Sequence, residues 1–206
     1  MTLDEIGILH KTDKSSKKHN YLAVYEQVLQ SMRDKPIKLL EIGIFNGASL
    51  RMWRDYFPQG KIVGVDNKPQ ALEHAGERIE VYHGDQADPD GLIALATKHG
   101  PFDVIIDDGS HIWWHQIATM RALLPLVRSG GHYILEDLHT SFGEYVPNYG
   151  VNSKETAASF CFRFAERVLA DRALKLDPEP DPFLAAAPQL VSKVLIANRT
   201  AIFYRK

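Results

Sequence analysis

The hydrophobic pattern changes period along the chain. Short, nearly continuous apolar runs, "IKLLEIGI", "KIVGVD", "IEVYH", "FDVIIDD" and "HYILEDL", alternate with stretches whose apolar residues recur every three or four positions. Runs without polar alternation read as strands buried on both faces. "YLAVYEQVLQSM" reads as an amphipathic helix, with Tyr21, Val24, Tyr25 and Val28 at helical spacing. The stretch after the first run, "GLIALATKH" and "TAASFCFRFAERVLA" read as helices too. "HQIATMRALLPLVRSGG" reads as a helix closed by the Gly130–Gly131 pair. "HTSFGEYVPNYGVNSKE" reads as a long loop and "DPEPDP" as a breaker-rich linker. "SKVLIANRTAIFYRK" predicts a hairpin turning at Asn198–Arg199.

Strands alternating with helices predict an α/β fold. The expected architecture is a mostly parallel, seven-stranded sheet with helices on both faces and a C-terminal antiparallel hairpin. One domain is expected over residues 1–206, with residues 1–30 as an N-terminal cap segment. The first twenty residues are polar and lysine-rich, and Lys14, Lys17 and Lys18 are expected to form a solvated patch.

Composition narrows the function. The chain has 206 residues, 45% hydrophobic and 24% charged, with a net charge of −2. That is enough for one full core, and it provides no basic field for nucleic acid. The single cysteine, Cys161, excludes an internal disulfide and a cysteine metal cluster, and is expected in a helix core. No apolar run is long enough to span a membrane, and the N-terminus does not read as a signal peptide. A soluble protein of the cytoplasm is the expectation.

Four of the runs that read as strands end in acids: Glu41, Asp66, Asp107 with Asp108, and Glu136 with Asp137. Open parallel sheets bind ligands beyond the carboxyl ends of their strands, so these acids are expected on one rim. The first run leads into Gly43-Ile44-Phe45-Asn46-Gly47. Phe45 takes the place of the middle glycine of a dinucleotide fingerprint, which would crowd a pyrophosphate. A carboxylate fits better, held by the turn, the following helix N-terminus and the Ser49 hydroxyl. Asp66 ends the second strand, where an acid can accept hydrogen bonds from ribose hydroxyls. The combination suggests a nucleoside ligand without a pyrophosphate, S-adenosylmethionine.

"LLEIGIFNGASLRMW", "IVGVD", "HGDQAD", "VIIDDGSH" and "GGHYILEDL" resemble class I S-adenosylmethionine-dependent methyltransferases, whose fold is Rossmann-like. More narrowly they resemble the metal-dependent sugar O-methyltransferases of macrolide biosynthesis, of the mycinamicin and tylosin type. "KTDKSSKKHNYLAVYE" resembles the N-terminal segment of that family.

The resemblance implies that Glu41 and Gly43 hold the methionine end of the cofactor, with Ser49 near its carboxylate. It implies Asp66 at the ribose, Asp85 and the Gln86 backbone at the adenine, Asp107 alongside, and Tyr21 closing over from the N-terminal segment with His19. It implies a divalent ion, magnesium or alternatively manganese, on Asp108, Glu136 and Asp137, with His111 as general base. Three carboxylates suit such a hard cation, and imidazole suits proton removal near neutral pH.

His139, Trp113 and Tyr145 are the substrate-side candidates. Weaker candidates are His115, Trp114, Phe142 and Tyr149. The acceptor implied is a hydroxylated small molecule, a sugar of a glycosylated natural product, and the family analogy implies a homo-oligomer, dimer or tetramer. The macrolide enzymes are generally longer and this acceptor loop is short, so the acceptor need not be a macrolide glycoside.

Three other readings compete. A catechol-type O-methyltransferase has a similar site but typically lysine at the His111 position and Asp-Asn in place of Glu136–Asp137. A nicotinamide oxidoreductase is disfavoured by the interrupted glycine pattern and the missing Tyr-x-x-x-Lys pair. A non-catalytic cofactor-binding protein is disfavoured by the retained acids and His111.

Overall fold

A computed structural model describes residues 1–170 and 178–206. Along these residues the strands are β1 (Lys38–Ile42), β2 (Lys61–Asp66), β3 (Ile79–His83), β4 (Phe102–Asp107), β5 (Val127–Leu135), β6 (Val191–Ala197) and β7 (Thr200–Arg205). The helices are α1 (Leu3–His10), α2 (Leu22–Leu29), α3 (Ala48–Tyr56), α4 (Pro89–His99), α5 (Trp113–Leu123), α6 (Val146–Tyr149), α7 (Ala157–Ala170), α8 (Pro182–Ala185) and α9 (Ala187–Leu190).

The strands form one sheet in the order β3-β2-β1-β4-β5-β7-β6. The pairs from β3 through β5 are parallel, while β7 runs antiparallel to both β5 and β6. This is a Rossmann-like arrangement, with the expected terminal hairpin. Its turn residues Asn198 and Arg199 have φ of 44° and 69°, the left-handed pair that a tight two-residue hairpin requires. The winding reverses between β1 and β4, and a crevice opens there at the carboxyl ends of the strands.

Two apolar layers sandwich the sheet. One packs α4, α5 and α7 through residues such as Leu92, Met120, Leu123, Phe160 and Phe164. Cys161 lies buried in this layer as a free thiol, as expected. The other packs α1, α2 and α3 through Leu3, Leu22, Tyr25, Leu50 and Trp53. Burial of those five side chains supplies roughly 1.5–3 kcal/mol each. Among the described residues, no helix is long and apolar enough to cross a membrane.

Four local expectations change. The polar N-terminus holds a helix, α1, closed by a capping box: Glu5 N donates to Thr2 Oγ1 (3.2 Å) and Thr2 N donates to Glu5 Oε2 (2.8 Å). The fifth helix stops at Leu123 and a 3-10 turn carries Pro125. The Gly130–Gly131 pair therefore lies in β5, with Gly130 at φ 79° on an irregular stretch of the β4–β5 ladder. The long loop contains 3-10 turns at Leu138–Ser141 and Gly143–Tyr145 and the short α6. In the linker, Asp177 lies outside the described residues, while the Asp181 carboxylate caps α8 by accepting from Phe183 N (3.0 Å).

His132 on β5 is buried, its Nδ1 is unpaired, and burial, helped by Lys193, pushes its pKa down to about 4. A histidine held neutral by folding takes up protons more readily when unfolded. Its contribution is complete above about pH 6.5 and is lost as pH falls toward about 4. His132→Phe should therefore flatten the fall in thermal stability across that window. Parallel melting profiles for the two proteins from pH 7 to 4 would contradict this.

Candidate active site at the carboxyl edge of the sheet

The site begins where β1 ends. Gly43 has φ 80°, and a Cβ there would lie 2.1 Å from the Asp108 carbonyl oxygen. Only glycine lets the β1 turn approach the β4 turn this closely. Gly43 N donates to Val65 O (2.8 Å), and Asp108 N donates to Ile42 O (2.9 Å). These bonds extend the sheet past its last residues and fix the crevice walls.

The cleft between the two turns has a volume of about 600 Å³. Asp66 stands at its β2 side, where Oδ2 accepts from Ile44 N (3.0 Å) and Phe45 N (3.3 Å). Asp85 lines the next wall and braces its own turn through Ala87 N (2.9 Å). The Gln86 side chain donates to Asp107 Oδ1 (2.6 Å) and accepts from Ser110 N and Oγ (2.8 and 3.0 Å). Ser110 Oγ also lies 2.7 Å from His115 Nδ1. One chain of hydrogen bonds thus links the loops after β3 and β4. His115 is held below the usual imidazole range by burial.

The adjacent acids of β4 part company. Asp107 is fully buried, accepting from Gln86 and from the Tyr133 hydroxyl (2.9 Å). Burial pushes its carboxyl up to about 7, against those two bonds. Asp108 faces the cleft, and its Oδ2 accepts from Lys14 Nζ at 2.5 Å. Alternation along an extended strand end explains the split.

At this end of the cleft, Asp108, His111 and Asp137 each offer a ligand atom, all within 4.8 Å of one another. Asp137 and His111 both sit in the left-handed region, at φ 57° and 59°. That conformation is uncommon for such residues and often marks a constrained site. His111 Nε2 lies 3.3 Å from Asp137 Oδ2, and its Nδ1 is buried without a partner. Burial works to raise the Asp137 pKa, but His111, the Tyr21 hydroxyl donating to Oδ1, and His139 together hold it below the ordinary carboxylate range.

Residues 40–138 match the family described as a methyltransferase domain. This is a class I methyltransferase domain. It is 42% identical over 156 residues to the 8-demethyl-8-(2-methoxy-alpha-L-rhamnosyl)-tetracenomycin-C 3'-O-methyltransferase of Streptomyces olivaceus, covering 72% of this chain and 39% of that protein. It is 38% identical over 156 residues to the mycinamicin VI 2''-O-methyltransferase of Micromonospora griseorubida, covering 72% of this chain and 38% of that one. The chain therefore spans about two fifths of the length of these curated relatives. A solved structure of the MycE methyltransferase from the mycinamycin biosynthetic pathway, in complex with Mg and SAH, superposes with a TM-score of 0.88. Identity there is 29%, and the match covers 100% of this chain and 53% of that chain.

Within the methyltransferase domain, Gly43, Asp66, Asp85, Gln86, Asp108, His111 and Asp137 all line the cleft. Glu41 and Ser49 are not among the lining residues; both are buried, with Ser49 Oγ donating to Glu41 Oε2 (2.7 Å). Glu136 is engaged by other side chains and is not one of the Asp108–His111–Asp137 ligand group. Its Oε1 accepts from the Tyr25 hydroxyl (3.0 Å) and its Oε2 from Lys14 Nζ (2.7 Å). Burial pushes Glu136 well above the ordinary carboxyl range, and Asp108 adds to the rise.

On the segment after β5, His139 and Tyr145 stack edge to face at 5.0 Å, and Tyr149 lies 6.1 Å from His111. Trp113 is 5% exposed. It is buried among the α5–α7 layer, donating Nε1–H to Thr140 O (3.2 Å) and so bracing the turn that carries His139.

The expected solvated lysine patch is corrected, at Lys14. This side chain is only 1% exposed, with its ammonium on Asp108, Glu136 and, at 3.3 Å, Glu41. Tyr25, read only as a helix-face residue, donates to one of these acids, Glu136. The available signal was charge balance: several acids converging on one rim require a nearby cation.

Proposed function

We propose that this chain transfers a methyl group from S-adenosylmethionine to a sugar hydroxyl of a glycosylated natural product. A divalent ion, magnesium or manganese, would be held at Asp108 and Asp137, and His111 would receive the hydroxyl proton. The observation that carries this reading is the convergence of Asp108, His111 and Asp137 at one end of the cleft. The relatives named as sugar O-methyltransferases support the acceptor class.

The donor set fits a hard cation. Two carboxylates beside an imidazole leave room for water and an acceptor oxygen, and no soft sulfur ligand is among them. When bound, such an ion supplies Lewis acidity that lowers the pKa of a hydroxyl and orients it. The Gly43 turn and Asp66 would position the cofactor, with Asp66 accepting from ribose hydroxyls. Phe45, at φ 46° and 77% exposed, occupies the rim where a dinucleotide site needs a glycine.

His111 lies against Asp137, which is placed to orient the ring and balance its charge after proton uptake. The hydroxyl oxygen forms the new bond to the methyl carbon as the carbon–sulfur bond breaks, and the proton goes to the imidazole. Fixing the two reactants in line supplies much of the acceleration. The rings of His139, Tyr145 and Tyr149 offer an amphipathic wall for a sugar.

The test is transfer of label from methyl-tritiated S-adenosylmethionine, with Mg²⁺, to a rhamnosylated polyketide, its aglycone or a catechol. Label on the sugar alone is the expected result. Transfer to the catechol but not to the sugar would replace this reading with the catechol-type one.

A further inference from the structure

The Lys14 ammonium is shared by three carboxylates that come from three strand ends: Asp108 at 2.5 Å, Glu136 at 2.7 Å and Glu41 at 3.3 Å. The lysine and both glutamates are buried, and Asp108 is shielded apart from its face to the cleft. Removing an ammonium from water is costly unless paired charges compensate for it. Here the compensation is in excess, because one positive charge meets three acids and Asp137 adds a fourth nearby. Held by three carboxylates within 3.3 Å, the lysine is a fixed cation.

Asp108 belongs to two groupings at once. It is the first partner of Lys14 and a member of the Asp108–His111–Asp137 cluster. A divalent ion in that cluster would be drawn to the carboxylate that Lys14 already holds, and the two cations would repel across it. Glu136 is likewise occupied by Lys14 and Tyr25. Lys14 lies on the segment between α1 and α2, which is tied down by Tyr21 N donating to Lys14 O (2.9 Å) and His19 N donating to Asp13 O (2.9 Å). Whatever displaces the ammonium must strain or loosen that segment.

We propose that Lys14 is a tethered cation that competes with the divalent ion for Asp108 while keeping Glu136 engaged. It stabilises the acids from within the chain and weakens metal affinity. It also couples metal binding to the looseness of residues 11–21. This rests on the metal site proposed above.

The test is Mn²⁺ titration followed by electron paramagnetic resonance, with wild type and Lys14→Met compared. Lys14→Met should bind Mn²⁺ at least about tenfold more tightly, as expected when a like charge near a dication is removed. Its melting temperature should fall without metal and recover more with Mn²⁺ than wild type does. Equal or weaker Mn²⁺ binding by the variant, with wild type binding normally, overturns the proposal and leaves the metal site standing. Binding by the variant alone supports the tethered cation and removes the metal from the wild-type reading. Binding by neither overturns both.

Should Lys14→Met not fold, hydrogen exchange on wild type decides. Added Mn²⁺ should speed exchange of the Lys14–Tyr21 amides, and unchanged or slower exchange overturns the coupling.

Discussion

His111→Ala should cut the methyl transfer rate by about 10²–10⁴-fold, the range for loss of a general base, while S-adenosylmethionine affinity stays within about threefold. The separation follows from geometry. His111 stands at the acid end of the cleft against Asp137, whereas the proposed cofactor positions run from Gly43 past Asp66 to Asp85. Its backbone at φ 59° suits alanine no better than histidine, so a stability loss of about 1 kcal/mol is expected at most. Turnover at saturating cofactor, with calorimetric affinity and a melting curve, gives the three readouts. Activity within tenfold of wild type would remove His111 from the proton-accepting role.

Asp108→Ala should act on the metal. The change removes the only side chain that touches Lys14 and also belongs to the His111–Asp137 cluster among the described residues. Mn²⁺ affinity should fall by about 100-fold or more, since an anionic ligand is lost outright. Chelation of wild type should give the same inactive state, reversed by adding Mg²⁺. The Asp108 backbone bonds remain, with its N–H still on Ile42 O, so the crevice should persist and cofactor binding should survive. Unchanged Mn²⁺ affinity in this variant would place the ion elsewhere.

Much of this arrangement was legible in the sequence because strands buried on both faces must be continuously apolar. The acids at the carboxyl ends of β1, β2, β4 and β5 therefore mark the rim, whereas Asp103, at the start of β4, pairs with Arg128 at the other edge. The separation of Asp107 from Asp108 was legible for the same reason, since alternation along an extended chain is geometric. The identity of their partners was not. Tyr133 and Gln86 serve Asp107, and Lys14 serves Asp108. All three partners come from distant parts of the chain. Lys14 in particular reads like the exposed lysines beside it until the fold carries it inward. The Gly130–Gly131 pair misled in the opposite way. Glycines commonly end helices, but Pro125 had already marked the end of α5, leaving the pair to an irregular strand entry. Trp113 sits on the helix that follows the candidate base, yet its indole turns to the core and to Thr140.

The central claim is that this crevice holds S-adenosylmethionine rather than a dinucleotide. Calorimetric titration of the purified chain with each cofactor tests it most directly. One equivalent of S-adenosylmethionine should bind, and NAD should give no saturable heat. Saturable binding of NAD without binding of S-adenosylmethionine would contradict the account.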